Sequence, residues 1–201
     1  MNANAIPERT ILLVDDDRLV LSTLSRGLAG AGYSVSTAES VDDAEAILAS
    51  GERPDLAILD VSMPGRSGLE LAERLHSFDH IPFMLLTAYS DREIVDRATA
   101  CGALGYLVKP VDTPQLLPAI KAALSRAEDI QGLQAAERQL QGALNSEREI
   151  SIAIGITMVQ YRLYRKAAFE LLRKTARSQN RKLAELATDV IRASETLNLG
   201  A

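Results

Sequence analysis

Five short apolar runs, each followed by a segment of helical periodicity, constrain this chain more than any other feature. The runs fall near 10–15, 33–37, 55–60, 82–87 and 104–108, and the helix-period segments near 17–30, 41–50, 67–77, 91–101 and 112–125. Glycine or proline punctuates the joints, at Gly32, Pro54, Pro64-Gly65, Gly68, Pro82, Gly102, Gly105 and Pro110, as expected where a chain leaves one element for the next. Runs such as Ile11-Leu12-Leu13-Val14 lack polar alternation, which marks strands covered on both faces. Five such βα units predict an α/β fold with a doubly wound parallel sheet and are too few for an eight-stranded barrel. Pro118 lies inside the last of these helical segments, where a missing N–H predicts a bent or tightened first part.

In an open parallel sheet, ligands gather at the carboxyl ends of the strands, and this chain concentrates its chemistry there. The first strand ends in Asp15-Asp16-Asp17, the third in Asp60, the fourth in Thr87-Ala88 and the fifth in Lys109-Pro110. Three adjacent carboxylates repel one another, so they point either to a hard divalent cation with oxygen ligands or to acidic capping of the following helix. Parallel strands lie about 4.8 Å apart, so all these ends can converge on one crevice. A carboxylate there can accept a phosphoryl group as an acyl phosphate. A cation, a lysine and a hydroxyl around it would stabilise the charge that spreads over the transferring oxygens.

After residue 120 the strand signals stop. Residues 121–160 read as one long polar helix with Leu133, Leu140 and Ile154 on a seven-residue repeat, Glu147 in its fourth slot, and Ile130, Leu144 and Met158 at companion positions. This is an imperfect coiled-coil seam, interrupted by Glu137 and Ser151 and weakened by Gly132 and Gly142, with packing of the helix back on its own chain as the alternative. Two more helices are predicted, at 164–177 and 180–197, with Ser178 or Asn180 as the cap between them; the second carries Leu183, Leu186, Ala187, Val190 and Ile191 on one face;.

Charge divides along the same line. Residues 1–125 carry ten Lys/Arg against eighteen Asp/Glu, a net of −8, while 126–201 carry twelve against nine, a net of +3. Eight of the basic residues fall within 160–182, beside a single acid, Glu170. An acidic first part and a basic tail imply two different tasks. The basic tail also carries Tyr161, Tyr164 and Phe169, and cations with aromatics make a workable RNA surface. Arg181 and Lys182 are expected in the first turn of the last helix, where the helix dipole disfavours them and a partner would compensate. A lone cysteine, Cys101, excludes an internal disulfide, no apolar run approaches the ~20 residues of a membrane span, and the first residues lack a signal-peptide pattern;. A soluble cytoplasmic protein is expected.

Residues 9–125 resemble the receiver domain of two-component response regulators. The resemblance rests on the Val-Asp-Asp triplet, the Asp-x-x-Met-Pro-Gly-x-x-Gly loop from Asp60 to Gly68, Thr87-Ala88 and Lys109-Pro110. It implies a flavodoxin-like five-stranded sheet of order 2-1-3-4-5. Asp60 is then the phosphoacceptor, and Mg²⁺ is held by Asp16, Asp60 and the Ser62 backbone carbonyl, with Asp15 acting mainly through water. Thr87 and Lys109 contact the phosphoryl oxygens, Lys109-Pro110 is expected to be cis, and Tyr106 takes the aromatic switch position that follows Thr87. Ser62 and Tyr89 flank the pocket as positions that tune phosphate lifetime.

The tail resembles the ANTAR domain, an RNA-binding antiterminator module, over about 145–195. The carrying pattern is Ala153-x-Gly155-x-x-Met158, Ala168-Phe169-x-x-Leu172-Arg173-x-x-Ala176 and Asn180-Arg181-Lys182-Leu183-x-x-x-Ala187. It implies close packing at Ala153, Gly155 and Ala168, a small core of Met158, Phe169 and Leu172, and RNA contacts from Arg165, Lys166, Arg173, Arg181 and Lys182. Ile154, Thr157 and Tyr164 depart from the family, which usually has a basic or polar residue, Leu and a capping Ser there. The expected organisation is a tail over 1–8, a receiver over 9–125, a helical coiled-coil-like stalk over 126–149 and a three-helix ANTAR-type domain over 150–201. The expected function is a phosphorylation-controlled response regulator, not an enzyme in the usual sense. Its partners are a sensor histidine kinase and leader RNA with hairpins, bound by a homodimer formed on phosphorylation, with antitermination as the result. The alternatives are a DNA-binding output and a protein-binding signalling adaptor.

Overall fold

The computed structural model describes residues 9–88, 97 and 100–198. The expected N-terminal tail, Tyr89 and most of the helix expected near 91–101 lie outside the described residues. The chain divides into two compact units, Met1–Gln131 and Gly132–Ala201.

The first unit is an α/β sandwich of three layers. Its strands are β1 (Thr10–Val14), β2 (Ser34–Ala38), β3 (Leu56–Asp60), β4 (Phe83–Thr87) and β5 (Tyr106–Val108). All pair in parallel in the order β2-β1-β3-β4-β5, the expected order. Successive side chains of a strand point to opposite faces, and that alternation divides the core. Leu12, Val14, Ala57, Leu59, Phe83 and Leu85 pack with α2 (Val41–Ala49) and α3 (Gly68–Arg74). Ile11, Leu13, Ile58, Met84 and Leu86 pack with α1 (Arg18–Gly30) and, through Leu116, Ile120 and Leu124, with the start of the long helix α4 (Thr113–Tyr161). Each fully buried Leu or Ile contributes about 1.5–3 kcal/mol, so reversing the register of a strand would cost both layers at once.

Local signals set the helix ends. Asp17 caps α1, its Oδ1 accepting from the Leu19 and Val20 amides at 2.8 and 3.3 Å, which assigns the third aspartate of the cluster to capping. Ser40 caps α2 by accepting from the Asp43 amide at 3.1 Å. The segment expected at 67–77 is a short α-helix that widens into a π-helical turn, Leu75–Asp79, and closes with His80 at φ 52°.

The second unit consists of the rest of α4 with α5 (Arg165–Ser178) and α6 (Leu183–Asn198). Its core joins Ala153, Ile154, Ala168, Leu172, Ala176, Leu186 and Ala187, with Met158 and Phe169 packed against it. Pro118 does not end the helix; α4 runs unbroken for 49 residues. Because Pro118 sits in the second turn, only one intrahelical bond of an otherwise packed segment is lost.

Three expectations for this unit are corrected. Gly155 is not a close-packing position: a Cβ there would meet nothing within 4 Å. The last helix begins at Leu183 rather than 180, so Arg181 and Lys182 precede it rather than occupying its first turn. Neither Ser178 nor Asn180 caps it. Ser178 closes α5, and Asn180 takes a left-handed conformation (φ 52°) that lets the Arg181 amide donate back to the Ala176 carbonyl at 2.9 Å, a Schellman end for α5.

Candidate functional site

The carboxyl ends of β1, β3, β4 and β5 converge as the sequence predicts. Asp15 follows β1 and is fully buried, Asp60 ends β3 and is 3 % exposed, and Thr87 ends β4 and is 1 % exposed. Asp16 is exposed at the rim. One carboxylate oxygen from each of Asp15, Asp16 and Asp60 lies within 4.8 Å of the others. The Lys109 ammonium sits between two of them, 2.6 Å from Asp15 Oδ2 and 2.8 Å from Asp60 Oδ2. Backbone groups orient the acids: the Asp17 amide donates to Asp15 Oδ1 at 3.0 Å and the Ser62 amide to Asp60 Oδ1 at 3.2 Å.

Two backbone features hold this geometry. Gly68 packs so tightly under the end of β3 that a Cβ would lie 1.9 Å from the Asp60 carbonyl oxygen. Lys109 donates its amide to the Thr87 carbonyl at 2.8 Å and precedes a cis peptide bond to Pro110.

The electrostatics leave room for a cation. Burial pushes the Asp15 carboxyl up, against the opposing pull of Lys109 and the Asp17 amide. Burial draws Lys109 down, yet the two carboxylates outweigh it and hold the ammonium above its usual range. Asp15 Oδ2 touches that ammonium but has no partner in hydrogen-bonding geometry. A buried anionic oxygen left so, with two further carboxylates within reach, fits a hard divalent ion such as Mg²⁺. Asp15, Asp16 and Asp60 are the residues that could hold it.

Tyr106 lies on the edge strand β5, 46 % exposed. In the second unit Arg165, Lys166, Arg173, Arg181 and Lys182 are all exposed, but they are not equivalent. Arg181 is bound to Asp189 at 2.6 Å and reaches Glu185 at 3.9 Å, and Arg173 reaches Glu170 at 3.5 Å. The pairing of Arg181 with α6 compensates its charge at that helix start, so no partner is required on that ground. Arg165 and Lys166 line a groove of about 810 Å³ with Phe169, Ile150, Ile154 and Glu147. Leu133 and Leu140 of the seven-residue repeat and Leu144 at its companion position are exposed, whereas Ile154 is buried in its own module.

Sequence reasoning missed an ion-pair chain that begins at Arg66, in the loop after β3. Arg66 reaches Asp42, Glu45 and Glu70, Glu45 reaches Arg74, and Arg74 and Arg53 both reach Asp79. It also missed the bridge from Arg9 to both Asp55 and Glu128. These partners lie up to 119 positions apart in sequence, so no local spacing announces them.

Comparison with known proteins agrees with the geometry. Residues 11–121 match the response regulator receiver domain, and residues 138–191 match the ANTAR domain. The chain is 32% identical over 194 residues to the transcriptional regulatory protein PdtaR of Mycobacterium tuberculosis, covering 94% of each. It is 39% identical over 119 residues to the transcriptional regulatory protein AfsQ1 of Streptomyces coelicolor, covering 59% of this chain and 52% of that one. Among solved structures, a CheY-like receiver domain protein from Methanospirillum hungatei is 31% identical with a TM-score of 0.56, covering 60% of this chain and 97% of that one. A receiver implies a histidine kinase partner and an ANTAR domain an RNA partner, and no helix among the described residues is long and apolar enough to cross a membrane. This chain belongs to the two-component response regulators, joining a receiver domain to an ANTAR domain, the RNA-binding antitermination type of output.

Proposed function

We propose that phosphorylation of Asp60 controls the binding of hairpins in leader RNA by the ANTAR domain, and that this binding promotes transcription past a terminator. The observation that carries the first half is the placement of Lys109 against both Asp15 and Asp60, at 2.6 and 2.8 Å, in a pocket whose third carboxylate is open to solvent. An Asp60 oxygen bonds to phosphorus as the donor's phosphorus–nitrogen bond breaks, and the departing imidazole nitrogen keeps the electron pair. Mg²⁺, when bound, neutralises charge on the phosphoryl oxygens. Lys109 supplies a second positive charge and Thr87 a hydroxyl at the same place, so each stabilises charge that grows during transfer. The site also takes phosphate from small acyl-phosphate donors and hydrolyses its own acyl phosphate, with Ser62 at the pocket rim tuning the lifetime. These are the timing reactions of a switch.

Once phosphorylated, the pocket draws Thr87 inward and Tyr106 follows. A half-exposed aromatic on an edge strand is suited to such a movement. The exposed leucines Leu133, Leu140 and Leu144 then support a homodimer through the 126–149 stalk, because an apolar seam at heptad spacing is buried only by a second helix. Paired ANTAR modules over 150–201 engage RNA through Arg165, Lys166 and Lys182, with Arg173 and Arg181 contributing where RNA phosphates displace their internal acids.

Mass spectrometry tests the phosphoacceptor. The full chain incubated with Mg²⁺ and a small acyl-phosphate donor gains one phosphoryl mass, and Asp60→Ala gains none; an unlabelled wild type overturns the reading. Competition between hairpin RNA and duplex DNA at a stated salt concentration tests the output. Preferential displacement by duplex DNA would favour a DNA-binding output instead.

A further inference from the structure

The three aromatic residues of the basic tail have separate fates. Phe169 packs into the module's core. Tyr161 and Tyr164 do not: they are 61 % and 90 % exposed, and they flank a single tight turn. Tyr161 is the last residue of α4 and Tyr164 the residue before α5. Between them Arg162 adopts φ 53°, and the Leu163 amide donates to the Met158 carbonyl at 3.0 Å, a Schellman reversal.

This turn goes against local preference twice. The left-handed position after a helix favours glycine, because a Cβ there crowds its own backbone. The position before α5 favours Ser, Thr, Asp or Asn, whereas Tyr164 makes no side-chain cap hydrogen bond;. Neither choice is repaid by packing, since both tyrosines and Arg162 are exposed. Local rules broken without an internal gain point to function.

Charge identifies what the turn meets. Residues 160–166 hold Arg162, Arg165 and Lys166 and no acid. Among the described residues no carboxylate pairs with these three, unlike Arg173 and Arg181. Two bare aromatic faces amid three uncommitted cations match unpaired nucleotides, each of which brings a phosphate and a stackable base. A paired stem offers phosphates alone, because its bases are already stacked. A protein surface would need acids and an apolar slot for each ring.

We infer that Tyr161 and Tyr164 stack on unpaired bases of the RNA, with Arg162, Arg165 and Lys166 on the flanking phosphates. This inference rests on the RNA-binding reading and makes the α4–α5 turn the element that distinguishes a loop from a stem. Phosphate contacts from elsewhere on the module hold the stem, and the two rings contribute only where bases are free.

The test uses the full chain, phosphorylated with a small acyl-phosphate donor and Mg²⁺, and two hairpin RNAs with the same stem. One has a randomised unpaired loop, the other a flexible linker without bases. Stacking on an aromatic is worth roughly tenfold in affinity per ring, so wild type prefers the loop by about two orders of magnitude. The double variant Tyr161→Ala/Tyr164→Ala loses that preference but still binds the linker hairpin, while Tyr161→Phe/Tyr164→Phe keeps it. Because the chain has no tryptophan and five tyrosines, stacking is also visible as loop-specific quenching of tyrosine emission. An alanine double variant with wild-type preference overturns the inference and leaves RNA binding standing, as does a wild type that binds both hairpins equally. A wild type that binds neither hairpin overturns both.

Discussion

Removing the charge of Lys109 gives the most quantitative test of the pocket. In Lys109→Met the aliphatic stem is retained and the ammonium lost, so Asp15 and Asp60 face each other without compensation. Their oxygens lie within 4.8 Å, and two unit charges at that separation repel by about 3.5 kcal/mol at an effective dielectric constant near 20. Their side chains are 0 % and 5 % exposed, so water screens little of this; partial opening of the pocket reduces it to about 2–3 kcal/mol. Breaking a buried ion pair commonly costs this much or more. Hydrogen exchange of the β1 and β3 amides reads the opening free energy of the receiver within the full chain. In EDTA, Lys109→Met should lose about 2–3 kcal/mol against wild type. Millimolar Mg²⁺ should restore most of it by taking the place of the ammonium, and the variant should bind Mg²⁺ more tightly than wild type does. A variant as stable as wild type in EDTA, or one indifferent to Mg²⁺, would refute the argument that these three groups form one electrostatic unit.

Gly68→Ala forces a methyl to within 1.9 Å of the Asp60 carbonyl, so the backbone beneath Asp60, the proposed phosphoacceptor, must shift. A displacement near 1 Å slows transfer on the order of 100-fold, measured as the rate of phosphoryl mass gain with unfolding monitored in parallel. Glu45 is held below the usual carboxyl range, chiefly by its hydrogen bond to Arg66 and further by Arg74, against the pull of burial. A lowered folded-state pKa contributes stability above the ordinary carboxyl pKa that is lost as pH falls through the lower value. Wild type should therefore lose up to ~1 kcal/mol more than Glu45→Gln between pH 5 and pH 3, read from urea midpoints. Placing lysine at Leu133 and Leu140, exposed at 72% and 63%, should leave the fold intact and abolish the dimer proposed to form on phosphorylation, read by analytical ultracentrifugation; a variant that still dimerises moves the interface away from the stalk.

The sheet and its acidic pocket were legible because both are written locally. Buried parallel strands need continuous apolar runs, and Asp15, Asp60 and Thr87 each stand at the end of such a run where the fold opens, while Lys109 follows the shorter, partly exposed edge strand β5. Even the division of labour within Asp15-Asp16-Asp17 could be anticipated, since the residue before a helix is the one that caps it. Tertiary choices were not legible. Nothing near Arg181 shows that Asp189, eight positions on, will hold it, and nothing near Gly155 shows that its helix presents it to open space. Two helical signals around 112–125 and 121–160 carry no mark saying whether they join, and the apolar contacts of Leu116 and Ile120 with the sheet anchor one continuous helix. The π-helical turn at Leu75–Asp79 differs from an α-helix by a single residue per turn, which periodicity over so short a span does not resolve.

In the proposed function, the state of Asp60 sets the RNA affinity of the tail. Titration of a fluorescent hairpin RNA with the full chain, with and without an acyl-phosphate donor at constant Mg²⁺ and salt, measures it directly. Binding should tighten after phosphorylation, and Asp60→Asn should not respond to the donor. Equal affinity for the phosphorylated and unphosphorylated wild type would contradict it.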